Sequence, residues 1–161
     1  MRLVHKYGGS SVATPEKIMA IARRLAQLKK EGKVKHVGFS FHDTADVLDE
    51  MLNEYPEIEV VQIQLNYMDQ NIQAGLRGHD LALELGIPLV IMEPVKGGLL
   101  AQPPEEVLEP LRALDPDATP SSWAMRWVGS LPGVKVVLSG MGSMEQLEDN
   151  LNTFSQFRPL S

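Results

Sequence analysis

Four apolar, β-branched runs set the pattern of the chain, and each breaks into small or polar residues: VKHVGFSFHD (34–43), EVVQIQLNYMD (59–69), PLVIMEPVKGGLL (88–100) and VKVVLSGMG (134–142). Such runs read as strands buried on both faces of a parallel sheet, which deliver loops to its carboxyl edge. Strands are expected at 34–39, 58–65, 88–92 and 134–138, with RLVHKY (2–7) as a fifth. Between them the period changes to 3.6. Ile18, Ile21, Ala22, Leu25 and Leu28 share one face and predict a helix over 15–31, with Thr14 as N-cap, Pro15 at its first position and Gly32 as its stop. Further helices are expected at 44–54, with Val47, Leu48, Met51 and Leu52 inward, and at 71–85, interrupted by Gly75 and Gly78. Two short helices fill 104–130, and a last one follows the Ser143-x-x-Gln146 capping box, with Met144, Leu147, Leu151 and Phe154 inward.

Parallel strands need a helical crossover at each connection. The pattern therefore predicts an α/β fold: a partial (β/α)8 TIM-barrel arc of about five parallel βα units, or alternatively a five-stranded open doubly wound sheet. Length and a 43% hydrophobic content support one domain over residues 1–161. The net charge of −6 removes the cationic footprint a nucleic-acid partner requires. With no cysteine, disulfides and thiolate metal sites are excluded. No apolar run approaches the roughly 20 residues of a membrane span, and residues 1–5 lack the apolar core of a signal peptide. A cytoplasmic protein with neither membrane nor nucleic-acid partners is expected.

The ordered motifs GFSFHD, VQIQLNY, MEPVKGGLL, LPGVKVVLSGM and QLEDN make residues 32–160 resemble the carboxyl half of an aldo/keto reductase. The resemblance implies an oxidoreductase whose nicotinamide cofactor, NADP or NAD, lies across the carboxyl ends of the strands. Ser40 and Gln62 match the residues that hold the nicotinamide amide, although Phe41 replaces the family's usual asparagine. Met92 stands where many members stack an aromatic ring. Glu93, Pro94, Val95, Gly97, Gly98 and Leu99 match the loop along the pyrophosphate. Ser139, Gly140 and Met141 match the loop at the adenosine phosphate, and Gln146, Asp149 and Asn150 match positions around the adenine. The usual cation for a 2′-phosphate has no clear counterpart after Gly140.

Residues 1–28, LVHKYGGSSVATPEKIMAIARRLA in their greater part, resemble instead the amino-terminal strand, loop and helix of aspartate kinases. That resemblance implies phosphate contacts from Lys6, Gly8, Gly9, Ser10 and Ser11, where glycines let N–H groups approach an anion. The domain thus divides into a kinase-like βα unit (1–31) and a reductase-like half barrel (32–161), a chimera joined within LAQLKKEGK.

In the reductases the catalytic Asp, Tyr, Lys and His sit on the first four strands, which this resemblance does not cover. His5 alone falls where a catalytic histidine would end a strand. Little or no turnover of a carbonyl substrate is expected unless a partner supplies the missing strands. The open sheet edges predict self-association. The alternatives are a kinase-derived nucleotide-phosphate binder and a non-catalytic fusion or interaction protein. Tyr7, Tyr55 and Tyr67 read as packing residues, and His36, His42 and His79 as surface or loop histidines, since the histidine spacing fits no zinc motif. Asp46, Asp49, Glu50 and Glu54 read as a solvated helix face. Trp123, Met125 and Trp127 read as helix-to-sheet packing.

Overall fold

Four parallel strands, β1 (Gly38–Ser40), β2 (Val60–Gln64), β3 (Leu89–Met92) and β4 (Val134–Val137), lie in the order β1-β2-β3-β4. The structure is a computed structural model that describes residues 4–160. In a doubly wound sheet the strand order reverses at a switch point, whereas in a barrel each strand pairs with the next in sequence. No reversal occurs here. The sheet is an α/β barrel-type arc, with four strands among the described residues where five were expected.

The expected strand not seen among the described residues is the first. Residues 4–8 form no strand, and residues 1–3 of the expected 2–7 segment lie outside those described. No ladder partner accompanies Val4, His5, Lys6 and Tyr7, and all four are exposed. A contact boundary between Val37 and Gly38 sets residues 1–37 apart as a unit of their own. Within it a short 3-10 turn (Gly9–Val12) leads into α1 (Pro15–Lys30). The Thr14 hydroxyl accepts from Lys17 N at 3.4 Å, and Gly32 adopts φ +70° beyond the helix end, the left-handed stop anticipated from the sequence. No residue of α1 is buried, so its predicted apolar face is at most half-covered.

The second unit, residues 38–161, contains the sheet and the remaining helices: α2 (Ala45–Glu54), α3 (Gly75–Glu84), α4 (Glu105–Leu114), α5 (Pro120–Ser130) and α6 (Met144–Ser155). Its core forms on one face of the sheet. Val61, Ile63, Leu89 and Ile91 have no exposed surface and pack with Leu48, Leu52, Ala82 and Val128 from the helices. Residues of opposite parity, Gln62, Gln64, Val90 and Met92, are only partly covered. The strands are therefore not dry on both faces. In β2 the second face carries Gln62 and Gln64, an alternation already present in the sequence, whereas in the apolar β4 only the structure shows that Val136 stays 46% exposed.

Several helix faces also differ from expectation. In α2, Leu48 and Leu52 are buried but Val47 is exposed. α3 starts four residues late, because Gln73 and Gly75 take left-handed φ values of 53° and 52° that interrupt a helical run. In α6, Met144 and Leu151 point to solvent rather than inward, Leu147 is half-buried, and Phe154, though 42% exposed, stacks its ring on Phe157 at 5.7 Å. His79, expected at the surface, is 3% exposed, with Nδ1 2.8 Å from the Asp80 carboxylate and Nε2 2.8 Å from the Pro132 carbonyl. It ties α3 to the loop before β4.

Candidate functional site

Parallel pairing brings side chains from separate stretches into rows. Ser40 is in register with Gln62 and Gln62 with Val90, while Gln64 is opposite Met92. The Gln62 amide Nε2 lies 3.2 Å from the Met92 sulfur, so Ser40, Gln62 and Met92 meet on the half-covered face near the carboxyl ends of β1 to β3. Phe41, at the position of the absent asparagine, is 6% exposed and makes an edge-to-face contact with Phe39 at 6.0 Å. Its ring completes the core and offers no polar group to a ligand.

After β3 the chain turns sharply. Glu93 and Lys96 adopt left-handed φ values of 57° and 50°, followed by Gly97 at 62° and Gly98 at 97°. The two non-glycine residues each cost on the order of 1 kcal/mol in such a conformation, so something must hold them. Lys96 N donates to the Glu93 carbonyl and Gly98 N to the Val95 carbonyl; among the described residues the alternate N–H groups, of Val95 and Gly97, make no such bond. Pro94 is buried, whereas Leu99 is 54% exposed.

The loop is held from β2. Asn66 is fully buried; its Nδ2 donates to the Glu93 carbonyl at 3.1 Å, and its Oδ1 accepts from Met68 N and Asp69 N at 3.0 and 2.8 Å. Asp69, 6% exposed, accepts from Gln64 and Asn66 amides at 3.1 and 3.3 Å and forms an ion pair with Lys96. The Lys96 ammonium, ahead of the two amides, holds the Asp69 carboxyl below the usual carboxylate range against the opposing effect of burial. Neither Asn66 nor Asp69 is among the site residues expected from the sequence. Their Asn-x-x-Asp spacing directly after a strand was the available signal, and Lys96 was weighed only as part of a glycine turn.

At the far edge of the sheet, Asn150 Nδ2 donates to Ser139 Oγ at 3.0 Å, linking α6 to the loop after β4 in which Gly140 and Met141 are exposed. Gln146 accepts from Gly142 N at 2.7 Å and its own N–H donates to Ser143 Oγ, a cap close to the one foreseen. Asp149 instead accepts from the Thr119 hydroxyl at about 3 Å, with 3.0 and 2.9 Å to its two oxygens. It docks α6 onto α5. The candidate residues thus lie in two groups, one across β1 to β3 and one at β4 and α6.

The remaining candidates fall elsewhere. His5 is exposed in the first unit, and His42 is exposed beyond β1. Tyr55 is 56% exposed and Tyr7 is exposed, so neither is a packing residue in its unit; Tyr67 is half-covered, and burial pushes its phenol up. Met125 and Trp127 pack as expected, while Trp123 carries the Arg126 guanidinium 4.7 Å from its ring centroid. A cleft of about 350 Å³ lined by Leu108, Leu111 and Trp123 shares none of the site residues above. Among the described residues no group of three or more His, Asp or Glu could hold a metal, and no helix is long and apolar enough to cross a membrane.

Comparison with known proteins bears on this geometry. The sequence model of the Aldo/keto reductase family matches residues 4–161. The chain belongs to that family. Because the match begins at residue 4, it runs through the segment likened to aspartate kinases, and the comparisons give that likeness no support. An uncharacterized oxidoreductase of Schizosaccharomyces pombe is 28% identical over 127 residues, which cover 79% of this chain and 39% of that protein. The holo form of an aldo-keto reductase from Bacillus halodurans superposes with a TM-score of 0.69 at 22% identity, over 95% of this chain and 55% of that one. A thermostable aldo-keto reductase solved with the inhibitor epalrestat gives a TM-score of 0.68 at 24% identity, over 92% of this chain and 53% of that one. This aldo/keto reductase chain therefore spans about half the length of the solved reductases and less of the curated relative.

Proposed function

We propose that this chain is the cofactor-holding part of an aldo/keto reductase, with a partial site for NADP or NAD along the carboxyl ends of its strands. The observation that carries the reading is the meeting of Ser40, Gln62 and Met92 beside a strained loop with unspent N–H donors at Val95 and Gly97. The serine and glutamine suit an amide, and the sulfur of Met92 offers a soft, polarisable contact to a flat ring. Backbone N–H groups on a left-handed turn suit a phosphate. Ser139 and Asn150 would serve the adenosine end. A bound nicotinamide supplies the hydride; these side chains bind and orient it.

Binding is checked by titrating NADPH and NADH while following the emission of Trp123 and Trp127, with carbonyl-dependent loss of cofactor absorbance read in parallel. Saturable binding with little or no turnover is expected. No signal change and no binding by calorimetry up to millimolar cofactor would remove the nucleotide site.

The reading also assigns the chain a partner, a second copy of itself. Among the described residues no strand pairs with the outer edge of β1 or of β4, and the face bearing Gln62, Val90 and Val136 is incompletely covered. Exposed parallel edges template further strands, and two four-stranded arcs supply the eight strands of a closed barrel. Size-exclusion chromatography with light scattering is expected to give a dimer. A monodisperse monomer at high micromolar concentration rules this assembly out.

A further inference from the structure

We propose that the Asn66–Asp69 turn after β2 is a buckle that holds the Glu93–Gly98 loop in its anion-binding shape, with Asp69 acting through Lys96 and Asn66 through the Glu93 carbonyl. The inference rests on the nucleotide reading above and deepens it by naming positioning residues for the phosphate-bearing part of the ligand. Two observations carry it. Only two loop residues outside glycine take left-handed φ after β3, Glu93 and Lys96, and both are gripped from β2: Glu93 by the Asn66 amide and Lys96 by the Asp69 carboxylate. The grip is itself anchored, because Asp69 is buried and retains Gln64 and Asn66 as donors, while Asn66 fixes its own turn through two backbone N–H groups.

Mere charge gives the opposite expectation. Asp69 cancels the loop's lysine, so if electrostatics dominated, removing the carboxylate would tighten an anion. The geometry points the other way: a released Lys96 frees the loop to relax, and the left-handed turn that fixes the N–H groups of Val95 and Gly97 is no longer held. Preorganisation wins because the donors are backbone groups that only the strained turn presents.

The test uses inorganic pyrophosphate and NADPH as probes in calorimetry, with Asp69→Asn, Lys96→Met, the double variant and Lys96→Arg. Loss of one charge-assisted contact is expected to weaken both ligands about tenfold. The double variant should be no worse than either single one, and Lys96→Arg should restore most of the affinity. Unchanged or tighter binding in Asp69→Asn overturns the proposal, as do additive losses in the double variant. Should Asp69→Asn fold poorly, hydrogen exchange in Lys96→Met decides, because Lys96 is one-third exposed and loss of its charge weakens an anion with or without the buckle. Hydrogen exchange of the Gly98 and Leu100 amides, both bonded to the Val95 carbonyl, should then lose protection, and unaltered protection counts against the buckle. Pyrophosphate binding without NADPH binding would defeat the nucleotide reading and leave the buckle standing. NADPH binding indifferent to all the variants would do the reverse.

Discussion

Gly38→Ala is expected to unseat β1, lowering the stability of the second unit by about 3 kcal/mol and removing nucleotide binding with it. A methyl group built on Gly38 would lie 2.1 Å from the Val60 carbonyl oxygen and 2.3 Å from the Val60 Cγ1. Ordinary contact between such atoms begins more than an ångström farther out, so the strands must separate, and hydrogen bonds fail over a displacement of that size. β1 has little to resist with: three residues at the sheet edge, paired as Gly38 with Val60, Phe39 with Val61 and Ser40 with Gln62. Its loss also frees Phe39 and Phe41 from the core and takes Ser40 away from Gln62. Urea unfolding gives the first effect and NADPH titration the second. Hydrogen exchange of the Phe41 amide, bonded to the Gln62 carbonyl at 2.8 Å, reports the strand directly. A variant with wild-type midpoint and a protected Phe41 amide would show that the approach of β1 to β2 is not needed.

Ile63→Ala should cost more stability than a truncation at any of the exposed apolar positions, about 3 to 4 kcal/mol. Ile63 is fully buried at the middle of β2, the strand between β1 and β3, and it faces the same layer as Val61, Leu89 and Ile91. Neighbours in regular strands cannot collapse into the space it leaves, so the cavity contribution adds to the lost transfer energy. A domain of this size has only about 5 to 15 kcal/mol in hand. Leu151→Ala in α6 is the control: Leu151 is 58% exposed, and its change should stay within about 0.5 kcal/mol. Denaturant midpoints that fall equally in the two variants would mean that the core is not centred on β2.

Much of this was legible because it is local. Thr14, Gly32 and Ser143 announced helix ends through capping chemistry that depends on a few adjacent residues. The four strands were visible as β-branched runs, and their assignments erred by no more than a few residues at the ends. What failed depended on neighbours distant in sequence. RLVHKY has the composition of a strand, but a strand exists only against a partner, and its described residues, 4–7, are paired with none among the described residues. Met144 and Leu151 belong to an apolar stripe at helical spacing, yet periodicity cannot say whether anything packs on that stripe. His79 looked like a surface residue because its partner, the Pro132 carbonyl, is 53 positions away.

The candidate site divides in the same way. Resemblance supplied Ser40, Gln62, Met92 and the Glu93–Leu99 loop one stretch at a time; register put Ser40 beside Gln62, and the Gln62 side chain reaching Met92 made the three a group. Asp149 matched an adenine position in sequence and is engaged with Thr119 in space. Asn66, Asp69 and Lys96 escaped notice because a turn and a lysine separated by 27 residues carry no joint signal until the strands lie side by side.

By itself the sequence determined the α/β class, the capped helices and the family, since each follows from short-range pattern or ordered motif. Only the tertiary structure decided the number of strands, the covered face of the sheet and the clamp between the two loops. Strand pairing and burial are contacts between distant segments, and their free energy exists only once both partners are in place.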